Sequence, residues 1–355
     1  MARIEQKAGL FGSTPYIIPF FSGRYYNVPV KPLISIIIPN HNGSRTIGQC
    51  LQSIISSAFN DIEIIVVDDC SSDRSVEIIG TFPVQLIRLD RHSGASAARN
   101  AGADNSTGQV LFFIDADCLL QQDTLGHVRA SVAKHGPGTV IGGTYTLVPQ
   151  DLGFFSLFQS LFVNYFETKR PDVPDYIAAH ALVIYADAFK SSGGFPGNFL
   201  PIIEDVEFSH RLRRTGLRLV MEPAIQVQHI FNFNLLQSLR NAVRKSRFWT
   251  RYSLRNQDLL ADSGTASREL KMTVLSAILF LAMIFTWLAT GKASLLWSLP
   301  VIVGLNAVIN QGLIRTFFRT GGTLFALLAY GYYATLYACA VATGAVIGIA
   351  EYFFR

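Results

Sequence analysis

The chain has 355 residues, 50% hydrophobic and only 15% charged, with 30 Lys and Arg against 25 Asp and Glu and a net charge of +5. That length holds a sizeable core, while a mean hydropathy of +0.30 is too apolar for an ordinary water-soluble protein. Four scattered cysteines without a CxxC suggest neither a disulfide framework nor a zinc site, and the missing G-x-G-x-x-G and G-x-x-x-x-G-K-[ST] patterns speak against dinucleotide and P-loop enzymes.

Residues 1–32 show no signal peptide; TPYIIPFF is interrupted by Pro15 and Pro19, too short to span a membrane, and is expected to pack on the following domain. From residue 33 the chain alternates. LISIIIP is a continuous apolar run, as expected of a parallel strand covered on both faces. After the turn-forming NHNGS, Ile47, Leu51, Ile54 and Ile55 recur at helical spacing. IEIIVVDD reads as a second strand, and SSDRSVEII as a helix capped by Ser71 or Ser72. VQLIRL, GASAARNAGAD and VLFFIDAD continue as strand, small-residue helix and strand. The whole is an α/β pattern with an open sheet and helices on both faces. Residues 139–230 carry shorter strands, TVIGGTYTL, AHALVIY and IQVQH, and one helix around EDVEFSHRLRRTG. No linker precedes them, so 33–232 is read as one domain.

Ligands in such sheets bind beyond the carboxyl ends of the strands. Pro39-Asn40, Asp68-Asp69 and Asp115-Ala116-Asp117 each end an expected strand, so three polar ends converge on one edge. Free carboxylates next to a buried FFI run are disfavoured by desolvation. A hard divalent cation, Mg²⁺ or Mn²⁺, held by Asp115 and Asp117 resolves that conflict and leaves positions open for phosphate oxygens.

Residues 233–270 lead to the apolar C-terminal part. Arg240, Arg244, Arg247, Arg251 and Arg255 follow at helical spacing beside Leu236, Leu239, Val243, Phe248, Trp249 and Tyr252. This reads as a basic amphipathic helix at the membrane interface, with Arg244 and Arg247 contacting phosphate, such as that of a lipid-linked acceptor. No Asp, Glu, Lys or Arg occurs between Lys271 and Lys292, between Lys292 and Arg315, or between Arg319 and Glu351. Three transmembrane helices are expected within 271–355, at about 272–291, 294–314 and 322–350. The basic residues before the first run, and Arg315 and Arg319 between the second and third, place the N-terminal domain on the cytoplasmic side of an integral membrane protein. In that setting the positive charge points to anionic membrane lipids rather than to nucleic acid.

Taken jointly, IIIPNHNGSRTIGQCLQSI, IIVVDDCSSD, SGASAARNAG, FFIDADC, the GGF at 193–195 and IEDVEFSHRLRRTG resemble, in order and spacing over roughly 33–250, the large inverting family-2 glycosyltransferases. The resemblance implies a GT-A (Rossmann-like) fold that binds a nucleoside diphosphate sugar. It implies that Asp69 hydrogen-bonds the nucleotide base, with Pro39 and Asn40 lining the pocket, and that Arg99 approaches the nucleotide or its phosphates. Asp115 would face the ribose, and Asp117 would hold the metal, with His229 completing its ligands. Asp205 would be the general base that deprotonates the acceptor hydroxyl, with Glu204 beside it. The acceptor would be lipid-linked or part of a surface glycan. The chain departs from the pattern at His41, where tyrosine is usual nearby, and at Cys70, where glycine is usual; base selectivity is what these put in doubt. His180 is set aside as a packed or acceptor-side residue. Two alternatives stay open. A processive polysaccharide synthase would carry Gln-x-x-Arg-Trp, but Gln237-Ser-Leu-Arg240 is followed here by Asn241. A catalytically inactive, membrane-anchored sugar-nucleotide-binding protein would tolerate loss of the carboxylates that this chain retains.

Overall fold

The structure is a computed structural model that describes residues 3–5, 33–57, 59–197 and 200–354; the TPYIIPFF stretch lies outside the described residues. The described chain divides into two compact units, residues 1–144, 177–199 and 204–230 on one side and 145–176, 200–203 and 231–355 on the other.

The first unit carries the sheet. A short strand β1 (Arg3–Glu5) is followed by β2 (Ile34–Asn40), β3 (Ile62–Asp68), β4 (Gln85–Arg88), β5 (Val110–Ile114), β6 (Cys118–Leu120), β7 (Thr139–Tyr145), β8 (Ala181–Tyr185) and β9 (Arg218–His229). The strand order is β1-β4-β3-β2-β5-β8-β7-β9-β6. The apolar runs behave as expected: β2 pairs in parallel with both β3 and β5, and β3 with β4. Ile36, Ile37, Ile38, Phe112, Phe113 and Ile114 are completely buried. Beyond β5 the sheet turns antiparallel through β8 and through the β6–β9 pair.

Helices α1 (Ile47–Ile55), α2 (Ser75–Ile79), α3 (Ala95–Asp104) and α4 (Thr124–His135) follow β2, β3, β4 and β6, and α6 (Ala186–Ser191) and α7 (Glu204–Arg214) come later. Ile37, Leu111 and Phe113 meet Phe189 and Phe195 with Phe208 and Leu212 of α7 in one cluster. Helix α2 begins at Ser75 rather than at the serines expected to cap it. Asp73 is the acceptor there, taking the Ser75 N–H at 3.0 Å, because a carboxylate two residues ahead of a helix satisfies its free N–H groups.

The second unit is helical: α5 (Phe154–Thr168), α8 (Leu235–Asn256), α9 (Arg268–Thr290), α10 (Ser298–Ile309), α11 (Gln311–Tyr332) and α12 (Ala338–Phe354). The sequence reading missed α5. In FFSLFQSLFVNYFET the polar stripe of Ser156, Ser160, Asn164 and Glu167 is buried like the apolar side, where Phe158 sits 4.9 Å from Tyr332 and 5.7 Å from Phe317, so α5 has no solvent face of the usual kind.

Two helices, Arg268–Thr290 and Gln311–Phe354, are long and apolar enough to cross a membrane. The first is capped by the Ser267 hydroxyl and stops at Gly291, whose φ of 68° suits glycine. The second is α11 and α12 joined through a π turn, and its one non-helical residue, Gly322, stands where the third expected span begins. The middle span expected at 294–314 does not form as one helix. It is a 3₁₀ turn (Ala293–Trp297) and the twelve-residue α10, about 18 Å long against roughly 30 Å of hydrocarbon. The helix stops at Asn310, a buried amide that donates to Thr273 Oγ1 at 2.9 Å and to the Asn306 carbonyl at 2.9 Å.

Helix α8 opens on a capping box between Asn234 and Gln237, both bonds 2.9 Å, and lies against α12. A Cβ on Gly344 would stand 2.3 Å from the Val243 carbonyl oxygen, and one on Gly348 2.5 Å from that of Arg247, so the two backbones meet through glycines. This divides the arginine stripe. Arg244 is exposed. Arg247 is not available for the expected phosphate contact: its Nε donates to Glu351 at 2.9 Å and a terminal nitrogen to the same carboxylate, with Arg251 3.4 Å away. The pairing was hidden because 104 residues separate the partners. Arg247→Gln should lower stability by about 1–2 kcal/mol, since Glu351 loses a charge-assisted partner, whereas Arg244→Gln should leave it unchanged. Thermal unfolding in detergent checks this, and equal effects of the two substitutions would contradict it.

Candidate active site

The acidic turn is built by its neighbours. The Cys118 N–H donates to the Asp115 carbonyl at 3.0 Å, closing Asp115–Cys118 into a turn directly after the buried β5. The chain then enters β6, where Cys118 lies opposite His229 of β9 and the Ile230 N–H donates to the Asp117 carbonyl at 2.9 Å. Antiparallel pairing therefore brings Asp117 Oδ1 to 3.3 Å from His229 Nε2, although 111 positions lie between Asp117 and His229.

Arg99, expected near the nucleotide or its phosphates, is engaged here by two carboxylates. On α3, 4% exposed, it donates to Asp115 Oδ1 at 2.8 Å and to Glu204 Oε1 at 2.6 Å, over the Phe195 ring at 5.4 Å. The next residue, Asn100, exchanges two 2.9 Å bonds with the backbone of Phe195. Gly194, φ 69°, must be glycine there, because a Cβ would lie 2.6 Å from Asn100 Oδ1. The AARNAG and GGF motifs are thus one contact. Asp205, in the first turn of α7, accepts the Ala179 N–H at 3.2 Å.

The strand ends expected to hold a base also gather. Asn40 and Asp69 are buried and Pro39 is half-buried in β2. Asn40 Nδ2 donates to Asp68 at 2.9 Å, and the Asp69 N–H donates to the Asn40 carbonyl at 2.8 Å. The Asp69 carboxylate accepts the Ser93 and Gly94 N–H groups, both at 2.7 Å. Cys70 sits at φ 59°, a left-handed conformation that explains why glycine suits this place.

Burial raises the Asp117 carboxyl to about 7, with the Asp115 charge adding to it. Burial also acts upward on Asp115, but the Arg99 charge outweighs it and holds Asp115 below the usual range. Burial, then the Glu204 charge, pushes Asp205 up to about 6. His180, set aside in the sequence reading, is 8% exposed just before β8 and favours the charged forms of Asp115, Asp117 and Asp205. No spacing pattern pointed to it; only the fold brings it to the carboxylates.

Asp117, Cys118 and His229 place ligand atoms within 4.8 Å of one another. In the metal-free chain burial, then the Asp117 charge, drives the Cys118 thiol far up, which makes the carboxylate and the imidazole the readier ligands. The donors left are carboxylate oxygen and imidazole nitrogen, a set that fits Mn²⁺ and, with water, Mg²⁺. The high proton affinity of Asp117 comes from burial first and the Asp115 charge second, and a cation would offset both.

Residues 35–182 match the glycosyl transferase family 2 model. The chain is 31% identical over 148 residues to the glycosyltransferase GlyA of Streptococcus pneumoniae serotype 4, covering 41% of this chain and 21% of that protein. It is 36% identical over 118 residues to a PGL/p-HBAD biosynthesis glycosyltransferase of Mycobacterium bovis, covering 32% and 46%. The chain thus spans less than half the length of these two curated relatives. Among solved structures, a mannosyltransferase from Pyrobaculum calidifontis in complex with GDP-Man and Mn²⁺ superposes with a TM-score of 0.56 at 17% identity, covering 91% of this chain and 88% of that one. Residues 35–182 thus match a family 2 glycosyltransferase domain, and the chain has a GT-A-like α/β fold.

Carboxyls with raised pKa bind more protons in the folded than in the unfolded state, so between about pH 4 and pH 7 stability falls as pH rises. The metal-free protein should therefore melt lower at about pH 7.5 than at about pH 5, and Mn²⁺ should raise the melting temperature more at the higher pH. Asp117→Asn should shrink both effects. Mn²⁺ stabilisation that is equal at the two pH values would contradict this origin.

Proposed function

We propose that this chain is a membrane-anchored, metal-dependent, inverting glycosyltransferase that moves a sugar from a nucleoside diphosphate sugar to a lipid-linked or surface-glycan acceptor at the cytoplasmic membrane face. The observation that carries the reading is the division of the acidic centre. Asp117 and His229 form a cation-binding pole, Asp205 forms a basic pole, and Arg99 fixes Asp115 and Glu204 between them.

In this reading Asp69, with Pro39 and Asn40, holds the nucleotide base, and Asp115 faces the ribose. Bound Mn²⁺ or Mg²⁺ would supply positive charge to the departing diphosphate. Asp205 takes the proton from the acceptor hydroxyl as that oxygen bonds to the anomeric carbon. The bond from that carbon to the diphosphate breaks, and the configuration inverts. Glu204, held by Arg99, keeps the base side of the cleft in place. The structurally similar mannosyltransferase holds GDP-Man and Mn²⁺, the same two kinds of ligand.

Anchoring is assigned to α9 and the α11–α12 rod. Exposed Leu275, Ile278, Leu281, Phe285 and Leu288 give α9 an apolar surface suited to lipid, and the basic residues flanking the spans put the catalytic domain in the cytoplasm. Arg244 on α8 is assigned to acceptor or headgroup phosphate.

Asp205→Asn should retain donor binding and lose turnover by roughly 10²–10⁴-fold. Wild-type kcat/KM should fall off below about pH 6, where Asp205 takes up its proton. Arg244→Gln should raise KM for a lipid-linked acceptor and spare donor hydrolysis. Initial rates of nucleoside diphosphate release decide each point; wild-type turnover in Asp205→Asn would reduce that residue to a helix-terminal carboxylate.

A further inference from the structure

A second group of metal-ligating side chains lies where β2 ends and where the loop into α3 begins. His41, Asp69 and His92 place ligand atoms within 4.8 Å of one another. The carboxylate is buried and both imidazoles are exposed. His92 Nδ1 stands 2.9 Å from Asp69 Oδ2, and the two rings lie 4.1 Å apart between centroids, tilted by 35°.

The carboxylate is rigid, because the Ser93 and Gly94 N–H groups hold one oxygen each; each oxygen keeps a second acceptor direction. The His41 tautomer is also set by its neighbours. Its Nδ1 lies 2.7 Å from the Asp69 carbonyl, to which only a protonated nitrogen can donate. Asn42 Oδ1 accepts the Ser72 N–H at 2.9 Å and the Asp73 N–H at 3.3 Å, which turns the Asn42 amide nitrogen toward His41 Nε2 at 3.0 Å. His41 Nε2 therefore faces the Asn42 amide, with the Asp69 backbone carbonyl on the opposite nitrogen, the arrangement that orients metal-bound histidines; a cation on Nε2 would replace the exposed Asn42 bond.

We propose that His41, Asp69 and His92 form a second metal site, suited to Zn²⁺ or Co²⁺, and that its occupancy excludes the sugar nucleotide. Two imidazoles and one carboxylate favour these borderline ions, with water as fourth ligand, where the pole at Asp117 offers mainly hard oxygen. Ligand atoms around tetrahedral zinc stand about 3.3 Å apart, so the 2.9 Å His92–Asp69 contact opens slightly as the ion replaces the shared proton, which leaves to solvent. The exclusion rests on the proposed role of Asp69 at the base, since an ion there covers the carboxylate.

The test is titration of the full-length chain in detergent with Co²⁺, followed by its visible absorption, then displacement by Zn²⁺. His41→Gln and His92→Gln, both exposed, should each weaken Co²⁺ binding about ten-fold or more, with unchanged thermal unfolding, while His229→Ala keeps the site. Unaltered Co²⁺ affinity in both Gln variants would overturn the proposal. Adding GDP or UDP with Mg²⁺ should weaken Zn²⁺ binding at this site; simultaneous binding of nucleotide and Zn²⁺ would overturn the exclusion. A protein that binds Co²⁺ here but no nucleoside diphosphate without Zn²⁺ would leave the site standing and overturn the donor reading.

Discussion

Arg99 sits on α3, 4% exposed, with one terminal nitrogen on Asp115 and the other on Glu204. The acidic centre depends on that cation. Desolvation works against every carboxylate in the site, and Asp115 remains easily ionised because Arg99 more than offsets the burial. Arg99 makes no hydrogen bond to Asp117 or Asp205, and burial raises their proton affinities toward neutrality. One buried guanidinium thereby separates two carboxylates that it holds in place from two carboxyls whose charge is open to a cation or a proton. The Asn100–Phe195 backbone bonds next to it hold α3 at the height this sorting needs.

The parallel strands were legible because β2, β3 and β5 are buried on both faces, which demands unbroken Ile, Val and Phe runs. Their polar ends marked the edge where the site forms, and the acidic turn after FFI was visible as an electrostatic contradiction. What escaped were partnerships over long separation. Nothing local in AAHALVIY announces that His180 faces three carboxylates, and nothing in the arginine stripe shows that Glu351 holds Arg247. The break at Asn310 was hidden for a related reason. A charge-free window registers hydrophobicity, yet a buried amide bonded to Thr273 and Asn306 ends a helix without carrying charge.

The two departures from the family pattern fall at the strand ends assigned to the nucleotide base. Cys70 adopts a left-handed conformation at φ 59°, costing about 1 kcal/mol that glycine would avoid. His41 stands against His92 and the Asp69 backbone. Changes confined to this end leave Asp115, Asp117 and Asp205 untouched, so in the proposed reading they bear on the choice of base and not on the chemistry at the anomeric carbon.

The proposed single displacement has one direct signature, the anomeric configuration of the product. With an α-linked sugar nucleotide that the protein consumes in Mn²⁺, proton NMR of the glycosylated acceptor should show a β-linked sugar, because Asp205 activates the acceptor on the face opposite the leaving diphosphate. An α-linked product would contradict the account and require a different arrangement of base and leaving group.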